Sequence, residues 1–380
     1  MKRYNIFFLV FLLFSCHPAQ KKDSDEKLPF RTIEIEYAQG FSIEYYDNYT
    51  MLTISNPWQG AKEIQYRYAL VNNEQVPAEI PNDAKIIQTP LRKVICLSTS
   101  HIAFIDVLGE TQSIKGVSGT KFVNNKELLI KIKQNKIKDV GYENHLNYEI
   151  ITSINPDLVI TYGVGSEVAS YNHKLNDLGI ETMIIPEYLE THPLGKLEWI
   201  KFIAELYDKK EKADEYFQEV EKEYLRLVEM ASSVDNQPKV LFGLPWKETW
   251  YVPGGNSFLA KMVSDAGGNY IWNESSSRES IPLDLEYVFV KANDADIWLN
   301  TGTVKHKDEV LKIDSRFKDF TPFNKGVIYN NNMRENRWNG NDYWETGTVE
   351  PHIILKDLIK IFHPELLPKH TLVYYRYIDE

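Results

Sequence analysis

The chain has 380 residues, of which 43% are hydrophobic, and this length and composition are those of a globular protein with room for two domains. Its formal net charge of −11 argues against nucleic acid as a partner, because nucleic-acid binding depends on basic side chains that neutralise phosphates. Its two cysteines, Cys16 and Cys96, exclude a disulfide framework and a metal site built from several cysteines.

The first 16 residues have the pattern of a secretory signal. Two cations are followed by an apolar run over residues 6–14, which is too short to span a membrane as a finished helix. The run ends in LFSC, which resembles the lipobox of bacterial lipoproteins. That resemblance implies acylation of Cys16 and a lipid anchor in the cell envelope, on the periplasmic face of a membrane or on the cell surface. A soluble export signal with an incidental cysteine is the alternative.

Residues 17–27 are mostly polar, and residues 17–30 are predicted to form a flexible leash. Residues 31–87 then alternate apolar and polar positions between Gly and Asp/Asn turns, a pattern that predicts short strands. Ile33, Ile35 and Tyr37 are expected on one face of the first strand. We interpret this segment as a β-rich N-terminal extension, and no motif in it indicates a function.

Residues 91–190 alternate between strand and helix patterns, which predicts a mostly parallel sheet covered on both faces, here called the N-terminal lobe. The predicted strands are residues 93–97, 114–117, 138–140, 158–162 and 182–185. Ligands of such sheets lie beyond the carboxyl ends of the strands. The loops after the first four strands are therefore expected to form one rim, at residues 98–101, 118–122, 142–145 and 162–165.

Residues 194–233 form the predicted link between two lobes. We expect a shorter amphipathic helix over about 194–206 and a longer one over about 209–232, with Asp208 and Glu211 at the spacing of a capping box. The longer helix would measure roughly 30–35 Å at 1.5 Å per residue, which is enough to join two lobes. One apolar stripe along it contains Ala213, Phe217, Val220, Tyr224, Leu227 and Ala231. An ordinary surface helix within a single domain is the alternative.

Residues 237–380 repeat the strand and helix alternation and predict a second α/β unit, the C-terminal lobe. Its predicted strands are residues 239–243, 297–300 and 327–329, and its predicted helices are residues 256–266, 284–292 and 349–362. An aromatic loop at residues 331–344 precedes the last helix. The predicted fold class is α/β, with two lobes of mostly parallel sheets joined by one long rigid helix and preceded by the β-rich extension.

Several segments resemble, in order and spacing, the substrate-binding proteins of bacterial ABC importers whose two lobes are joined by a single rigid helix, known as class III or helical-backbone. The resemblance covers about residues 91–368. It rests on the linking helix and on RKVICLSTSHIAFIDVLGETQSIKGVSG, NYEIITSINPDLVITYG, WYVPGGNSFLAKMVSDAGGNYIW and GNDYWETGTVEPHIILKDLIKIFHPEL. The helix followed by PDLVI is the most specific of these. The β-rich extension lies outside the family's pattern.

The resemblance implies a binding protein and not an enzyme. It implies a monomer without a cofactor that captures cobalamin, haem or a ferric siderophore between its lobes and delivers it to an ABC permease dimer. In the family, one acidic residue near the tip of each lobe docks into arginine pockets of the permease, and the matching positions are Glu149 and Glu286. Without the resemblance, both would be ordinary carboxylates in the first turn of a helix, where the helix dipole favours them.

A cleft for a large chelate needs aromatic faces, a few cations and hydrogen-bonding groups. Arginines would suit siderophore carboxylates or catecholates and haem propionates, and tryptophan faces would suit the apolar flank of a corrin. The candidate ligand-binding residues are His101, Phe122, Tyr142, Tyr162, Trp246, Trp250, Arg278, Arg334, Arg337, Trp338 and Trp344.

Three alternatives remain open from the sequence. A related group of binding proteins holds Zn²⁺ or Mn²⁺ through histidines and a carboxylate, and His101, His145 and His306 are the candidates for such a site here. The protein could also be a surface lipoprotein that scavenges a chelate for an outer-membrane receptor without a permease. An enzyme that acts on the chelate is the third alternative, although G-x-S-x-G, H-E-x-x-H and P-loop motifs are absent from the sequence.

Overall fold

The structure is a computed structural model that describes residues 29–72, 75–142, 145–324 and 327–379. The predicted signal peptide, Cys16 and nearly all of the predicted leash lie outside the described residues. Among the helices of the described part, none combines the length and the apolar character that crossing a membrane requires.

A five-stranded sheet opens the described chain and matches the predicted β-rich extension. It consists of β1 (Arg31–Thr32), β2 (Phe41–Tyr45), β3 (Thr50–Ser55), β4 (Gln65–Val71) and β5 (Ala84–Gln88). The strands lie in chain order across the sheet, and neighbours are antiparallel except for the parallel pair β4 and β5. The cross-strand pairs Phe41–Ile54 and Ile43–Leu52 of β2 and β3 belong to the main hydrophobic core, so this face of the sheet is turned towards the rest of the protein.

The N-terminal lobe contains a five-stranded, fully parallel sheet in the order β10-β9-β6-β7-β8. Its elements are β6 (Val94–Cys96), α1 (Thr99–Val107), β7 (Ile114–Val117), α2 (Lys126–Lys133), β8 (Lys138–Asp139), α3 (Tyr148–Ile154), β9 (Leu158–Thr161), α4 (Glu167–Asp177) and β10 (Thr182–Ile184). The central strands β6 and β9 are buried along their whole length, because helices cover both faces of the sheet. The predicted parallel sheet is therefore confirmed.

Two helices link the lobes, α5 (Pro193–Glu205) and α6 (Lys210–Ala231). All six residues of the predicted stripe on α6 are buried. The predicted capping box is wrong: Asp208 has a positive φ of 55° and lies outside the helix, and Lys209 occupies the N-cap without a side-chain hydrogen bond. Glu211 lies in the first turn of α6, where its carboxylate complements the helix dipole.

Helix α5 is not amphipathic as predicted, because nearly every side is buried. The chain between β1 and β2 covers it, and the predicted strand through Ile33, Ile35 and Tyr37 does not extend beyond Thr32. The backbone N–H groups of residues 36–38 donate to the carboxylate of Glu198 on α5 at 3.1, 2.9 and 2.9 Å, and therefore do not pair with a neighbouring strand. The extension and α5 thus form one packed unit.

The C-terminal lobe has a sheet in the order β14-β11-β16-β17-β18, in which only β17 and β18 are antiparallel, and a smaller antiparallel sheet β12-β13-β15. Its elements are β11 (Lys239–Phe242), β12 (Pro245–Trp246), β13 (Thr249–Val252), α7 (Phe258–Asp265), β14 (Asn269–Tyr270), β15 (Ile281–Asp284), α8 (Leu285–Lys291), β16 (Ile297–Leu299), α9 (Lys307–Ile313), α10 (Thr321–Asn324), β17 (Ile328–Asn330), α11 (Pro351–Phe362) and β18 (Arg376–Tyr377). Both lobes have the α/β architecture that the sequence predicts.

The end of the chain is held by a buried carboxylate on α11. Asp357 accepts hydrogen bonds from the backbone N–H groups of residues 373–375 at 2.7–3.1 Å and lies 2.7 Å from the His370 ring. These contacts place β18 beside β17 and complete the C-terminal sheet.

Candidate functional site

A cavity of about 720 Å³ lies where the two lobes face each other, beyond the carboxyl ends of their parallel strands. Its volume is that of a site for a sizeable small molecule. Both lobes contribute to its wall, which consists of Leu97, Thr99, Ser118, Phe122, Tyr142, Leu146, Tyr162, Gly163, Val164, Glu167, Tyr171, Asn300, Gly302, Thr303, Asn331, Glu335, Asn339, Gly340, Asn341 and Trp344.

The N-terminal wall is built from the four loops that the sequence predicts to form a rim. Thr99 follows β6, Ser118 and Phe122 follow β7, Tyr142 follows β8, and residues 162–164 follow β9. Because parallel strands all end at the same edge of the sheet, their following loops meet there. The predicted position of the rim is confirmed.

Side-chain hydrogen bonds fix these loops. Asp139, at the end of β8, accepts from the backbone N–H groups of Thr120 and Gly141 at 2.8 and 3.0 Å and so joins two loops. Burial alone would raise the pKa of Asp139, but these hydrogen bonds hold the pKa below its ordinary range. The hydroxyls of Tyr188 and Tyr171 donate to the carbonyls of Gly163 and Tyr162, respectively, and hold the last loop against α4.

The C-terminal wall begins at the ends of two adjacent parallel strands. Asn300 follows β16, and Asn331 follows β17. Between these strands the loop with Gly302 and Thr303 is held by the Asn330 side chain, which donates to the carbonyls of Gly302 and Val304 at 2.8 Å each. The hydrogen bonds of Asn330 therefore hold this part of the wall in position, although Asn330 does not itself line the cavity.

The aromatic loop completes the wall through a compact turn. The side-chain oxygen of Asn336 accepts from the backbone N–H groups of Trp338 and Gly340 at 2.9 and 3.0 Å. Gly340 lies so close to the other lobe that a Cβ atom would come within 2.3 Å of the Phe122 carbonyl oxygen. Only glycine allows this close approach of the two backbones.

The same loop bonds directly to the N-terminal lobe. The Glu345 carboxylate accepts from the backbone N–H groups of Asn124 and Asn125 at 2.7 and 2.6 Å. The Asn336 amide donates to the carbonyls of Lys121 and Val123 at 3.1 and 3.2 Å. We call these four hydrogen bonds the inter-lobe latch. The latch lies beside the cavity, since Phe122 and Trp344, its immediate chain neighbours, both belong to the wall.

Glu345 is buried, and burial raises its pKa to about 7 although the two N–H donors favour the ionised form. The nearby charges of Asp342 and Asp106 act in the same direction as burial. A carboxyl group with this pKa changes its protonation near neutral pH, so the latch contains a titratable group.

Four of the predicted ligand-binding residues line the cavity, namely Phe122, Tyr142, Tyr162 and Trp344. Two others lie in the protein interior. His101 is buried on α1, and burial lowers its pKa, so that the ring is neutral. Trp250 is buried on β13 and donates from Nε1 to the Phe242 carbonyl at 2.9 Å.

The remaining candidates lie outside the wall. Arg334 forms an ion pair with Asp342 at 2.7 Å, and Arg337 lies over the ring of the exposed Trp338 at 4.9 Å. Arg278 is half-buried in the loop before β15, and Trp246 is exposed on β12. The structure thus brings the aromatic candidates of the rim together and leaves the arginines elsewhere.

The two predicted docking residues are exposed in corresponding first helical turns. Glu149 lies in the first turn of α3 and Glu286 in the first turn of α8. Glu286 pairs with Arg316 at 3.1 Å, and a hydrogen bond to its own backbone, together with this contact, holds its pKa below the ordinary range.

Metal coordination finds no support in the described part of the chain. There, His, Cys, Asp and Glu side chains do not form a group of three or more that could hold a metal ion. This includes His101, His145 and His306, the histidines considered from the sequence.

Sequence reasoning missed the asparagines of the C-terminal wall and the carboxylates Glu167 and Glu335. The rule that ligands lie beyond parallel strands would have found Asn300 and Asn331, because each directly follows a strand of the C-terminal sheet. Glu335 carries no comparable signal, since it lies within the long aromatic loop.

Comparison with known proteins supplies a family. A model of the family described as periplasmic binding protein matches residues 94–329, which is more than half of the chain. An uncharacterised lipoprotein of Methanocaldococcus jannaschii is 28% identical over 353 residues, which cover 87% of this chain and 82% of the relative.

Solved structures show the same fold. A possible iron-binding (periplasmic solute-binding) protein of Staphylococcus epidermidis aligns with a TM-score of 0.55 and 18% identity, over 72% of this chain and 99% of the other. A periplasmic haem-binding protein of Pseudomonas aeruginosa aligns with a TM-score of 0.56 and 15% identity, over 72% and 94%. The resemblance to two-lobed binding proteins stated from the sequence is confirmed.

Proposed function

Because this chain belongs to the periplasmic binding protein family, we propose that it captures a metal chelate in the cavity between its lobes and delivers it to an ABC permease. The observation that carries this proposal is the cavity of about 720 Å³, to which both lobes contribute aromatic and hydrogen-bonding side chains. A largely preformed site of this kind suits a rigid ligand. The buried helix α5 between the lobes supports small lobe movements on binding rather than wide hinge closure.

The proposed ligand is an iron chelate, either a siderophore or haem, or a cobalamin. The names of two similar structures mention iron and haem, which supports this range for the present chain. Phe122, Tyr142, Tyr162 and Trp344 are the proposed aromatic contacts, because their rings can cover the flat or apolar parts of such a molecule.

We further propose that Cys16 is acylated and anchors the protein to a membrane of the cell envelope. The curated relative from Methanocaldococcus jannaschii is named a lipoprotein, which supports the anchor. Radiolabelled palmitate supplied to cells should label the wild-type protein and leave the Cys16→Ala variant unlabelled. Equal labelling of both proteins would contradict the assignment.

Glu149 and Glu286 are proposed to dock the two lobes onto the permease. Exposed carboxylates that are held apart on a rigid body provide orientation and steering. The double variant Glu149→Ala and Glu286→Ala should abolish uptake while leaving ligand affinity unchanged. A matched control is Glu229→Ala, because Glu229 is an exposed carboxylate on α6. Intact uptake in the double variant would contradict docking and would favour a scavenger that works without a permease.

A thermal-shift titration tests the ligand class. The soluble chain from residue 29 would be titrated with cobalamin, haem and several ferric siderophores at micromolar concentration. A ligand at about a hundred times its dissociation constant adds about 2.7 kcal/mol to the free energy of unfolding, which raises the melting temperature measurably. Silence from every chelate would contradict the proposal. Turnover of a bound chelate on prolonged incubation would instead indicate an enzyme.

A further inference from the structure

The wall of the cavity carries negative charge. Among the described lining residues, Glu167 and Glu335 are the acidic ones, and Lys, Arg and His are absent from the wall. Glu335 pairs with Lys305 at 2.7 Å, whereas Glu167 is exposed and accepts only a backbone N–H, from Gly165, at 3.0 Å among the hydrogen bonds found. The formal net charge of the whole chain, −11, has the same sign.

The basic side chains near the cavity contact protein groups, as Lys305 does at Glu335. Arg334 is paired with Asp342, and Arg337 lies over Trp338. Lys121 is exposed and lies 4.9 Å from the ring centroid of Phe122, but does not itself belong to the wall. An anionic ligand would therefore enter the cavity without a bidentate partner for its carboxylates or catecholates.

Neutral hydrogen-bonding groups dominate the polar part of the wall, and they are Thr99, Ser118, Asn300, Thr303, Asn331, Asn339 and Asn341. Side-chain amides both donate and accept hydrogen bonds, so that they suit amide and hydroxamate groups. Asn331 is only 4% exposed, and its Nδ2 atom has no hydrogen-bond partner within the described chain. Oδ1 of Asn300 also lacks one there. Buried polar groups are usually satisfied, and both residues line the cavity, so a bound ligand that draws these side chains towards it would supply the missing partners.

We infer that the cavity selects an uncharged or cationic chelate that presents amide or hydroxamate groups, and that it rejects anionic chelates. This inference rests on the proposed capture of a chelate and narrows its class. Corrinoids, with a periphery of amides, and ferric trihydroxamates have the required chemistry. Haem with its propionates and ferric tris-catecholates do not.

The size of the effect follows from Coulomb's law. A unit charge on the ligand about 7 Å from the Glu167 carboxylate, at the edge of a solvated cavity with an effective dielectric constant of about 40, changes affinity roughly fivefold to tenfold. The sign is favourable for a cation and unfavourable for an anion. Added salt should weaken binding of the cation and leave binding of an uncharged ligand unchanged.

The test uses the protein as cells produce it, purified in a neutral detergent, with calorimetric titration of four probes. The probes are cyanocobalamin, which is uncharged, ferrioxamine B, which is a cationic trihydroxamate, and the anionic haemin and ferric enterobactin. We expect cyanocobalamin or ferrioxamine B to bind at least about fivefold more tightly than either anionic probe. Binding of cyanocobalamin that does not depend on salt would identify a corrinoid as the ligand. Binding of ferrioxamine B that weakens with salt would identify a hydroxamate.

Two substitutions test whether residues of the cavity wall determine which chelate binds. Asn331→Leu, which keeps the volume and removes the amide, should weaken the binding probe at least tenfold. Glu167→Gln should weaken ferrioxamine B roughly fivefold to tenfold and leave cyanocobalamin unaffected. Glu229→Gln removes an exposed carboxylate on α6 and serves as the control, in which the affinity for each probe should stay unchanged.

The outcomes separate the inference from the function on which it rests. Tighter binding of haemin or ferric enterobactin would overturn the charge selection and leave chelate capture standing. Loss of that anion binding in Lys121→Gln would then identify Lys121 as the missed cation. If none of the four probes binds, both the proposed capture of a chelate and this inference are contradicted.

Discussion

The inter-lobe latch gives a pH dependence that can be measured through the Glu345→Gln variant. Glutamine keeps the size of the side chain but cannot ionise. It retains one acceptor for the backbone N–H groups of Asn124 and Asn125 and turns an amide N–H towards the other. At pH 4.5 the protonated wild-type carboxyl group also has one carbonyl acceptor and one donor, so we expect the exchange to cost less than about 1 kcal/mol there.

The variant should gain stability relative to the wild type as the pH rises. Burial raises the pKa of Glu345 from 4.5 to about 7 in the folded protein. Below pH 4.5 both folded and unfolded states are protonated, and between pH 4.5 and 7 only the unfolded state releases the proton. The folded state therefore loses about 1.4 kcal/mol of stability per pH unit in this range, or about 3 kcal/mol in total. The variant has no such term.

Melting temperatures of both proteins between pH 4.5 and 8 provide the assay. For a chain of this length the entropy of unfolding is about 0.8 kcal/mol/K, so that about 3 kcal/mol corresponds to roughly 4 °C. The melting temperature of the wild type should fall by that amount relative to the variant, and the difference should remain level above pH 7. A constant difference, or a wild type that gains on the variant as the pH rises, would refute the reasoning. It would show that the two N–H donors outweigh burial and keep the carboxylate ionised.

Three further substitutions test the contacts that hold the architecture. Gly340→Ala places a methyl group 2.3 Å from the Phe122 carbonyl oxygen and should cost about 1–3 kcal/mol, seen as a lower melting temperature; an unchanged value would mean that the lobes separate freely. Glu198→Ala leaves three N–H groups of residues 36–38 without acceptors and should make this segment sensitive to limited proteolysis, whereas lasting resistance would contradict the role of the carboxylate. Asp357→Ala should release the last strand, detected as fast amide exchange, and continued protection would count against that contact.

The spacing of apolar residues correctly predicted those helices and strands whose structure is determined by their own sequence and by the burial of one face. The stripe on α6, from Ala213 to Ala231, is buried as predicted, because a helix on the surface of a core shows its packing in its own spacing. Short apolar runs between turns likewise predicted the parallel strands of the N-terminal sheet.

Long-range contacts account for what the sequence could not predict. Helix α5 has a polar pattern at Glu198 that suggests a solvated face, yet Glu198 is buried because residues 36–38 bond to it across 160 positions of sequence. The short strand β15 was missed because its pairing with β13 depends on the fold around it.

The site was predictable where it follows the topology of a sheet and not where it depends on side-chain partners. The rim loops follow from the ends of parallel strands. Whether an arginine faces the cavity depends on its partner, and Arg334 turns to Asp342 instead. The sequence placed Arg334 and Arg337 of this loop among the candidate ligand contacts, while the wall that the loop helps to form is neutral to acidic.

The contact between residues 36–38 and Glu198 also constrains the order of folding. During synthesis the extension leaves the ribosome about 160 residues before its partner on α5 exists. Its apolar face must stay uncovered while the whole N-terminal sheet, β6 to β10, is being made. Contacts of such long sequence separation form slowly, and exposed strands aggregate in the meantime. The extension and the N-terminal lobe should thus acquire their structure together, in one late cooperative step, and a chain released before α5 is complete should be a substrate for chaperones.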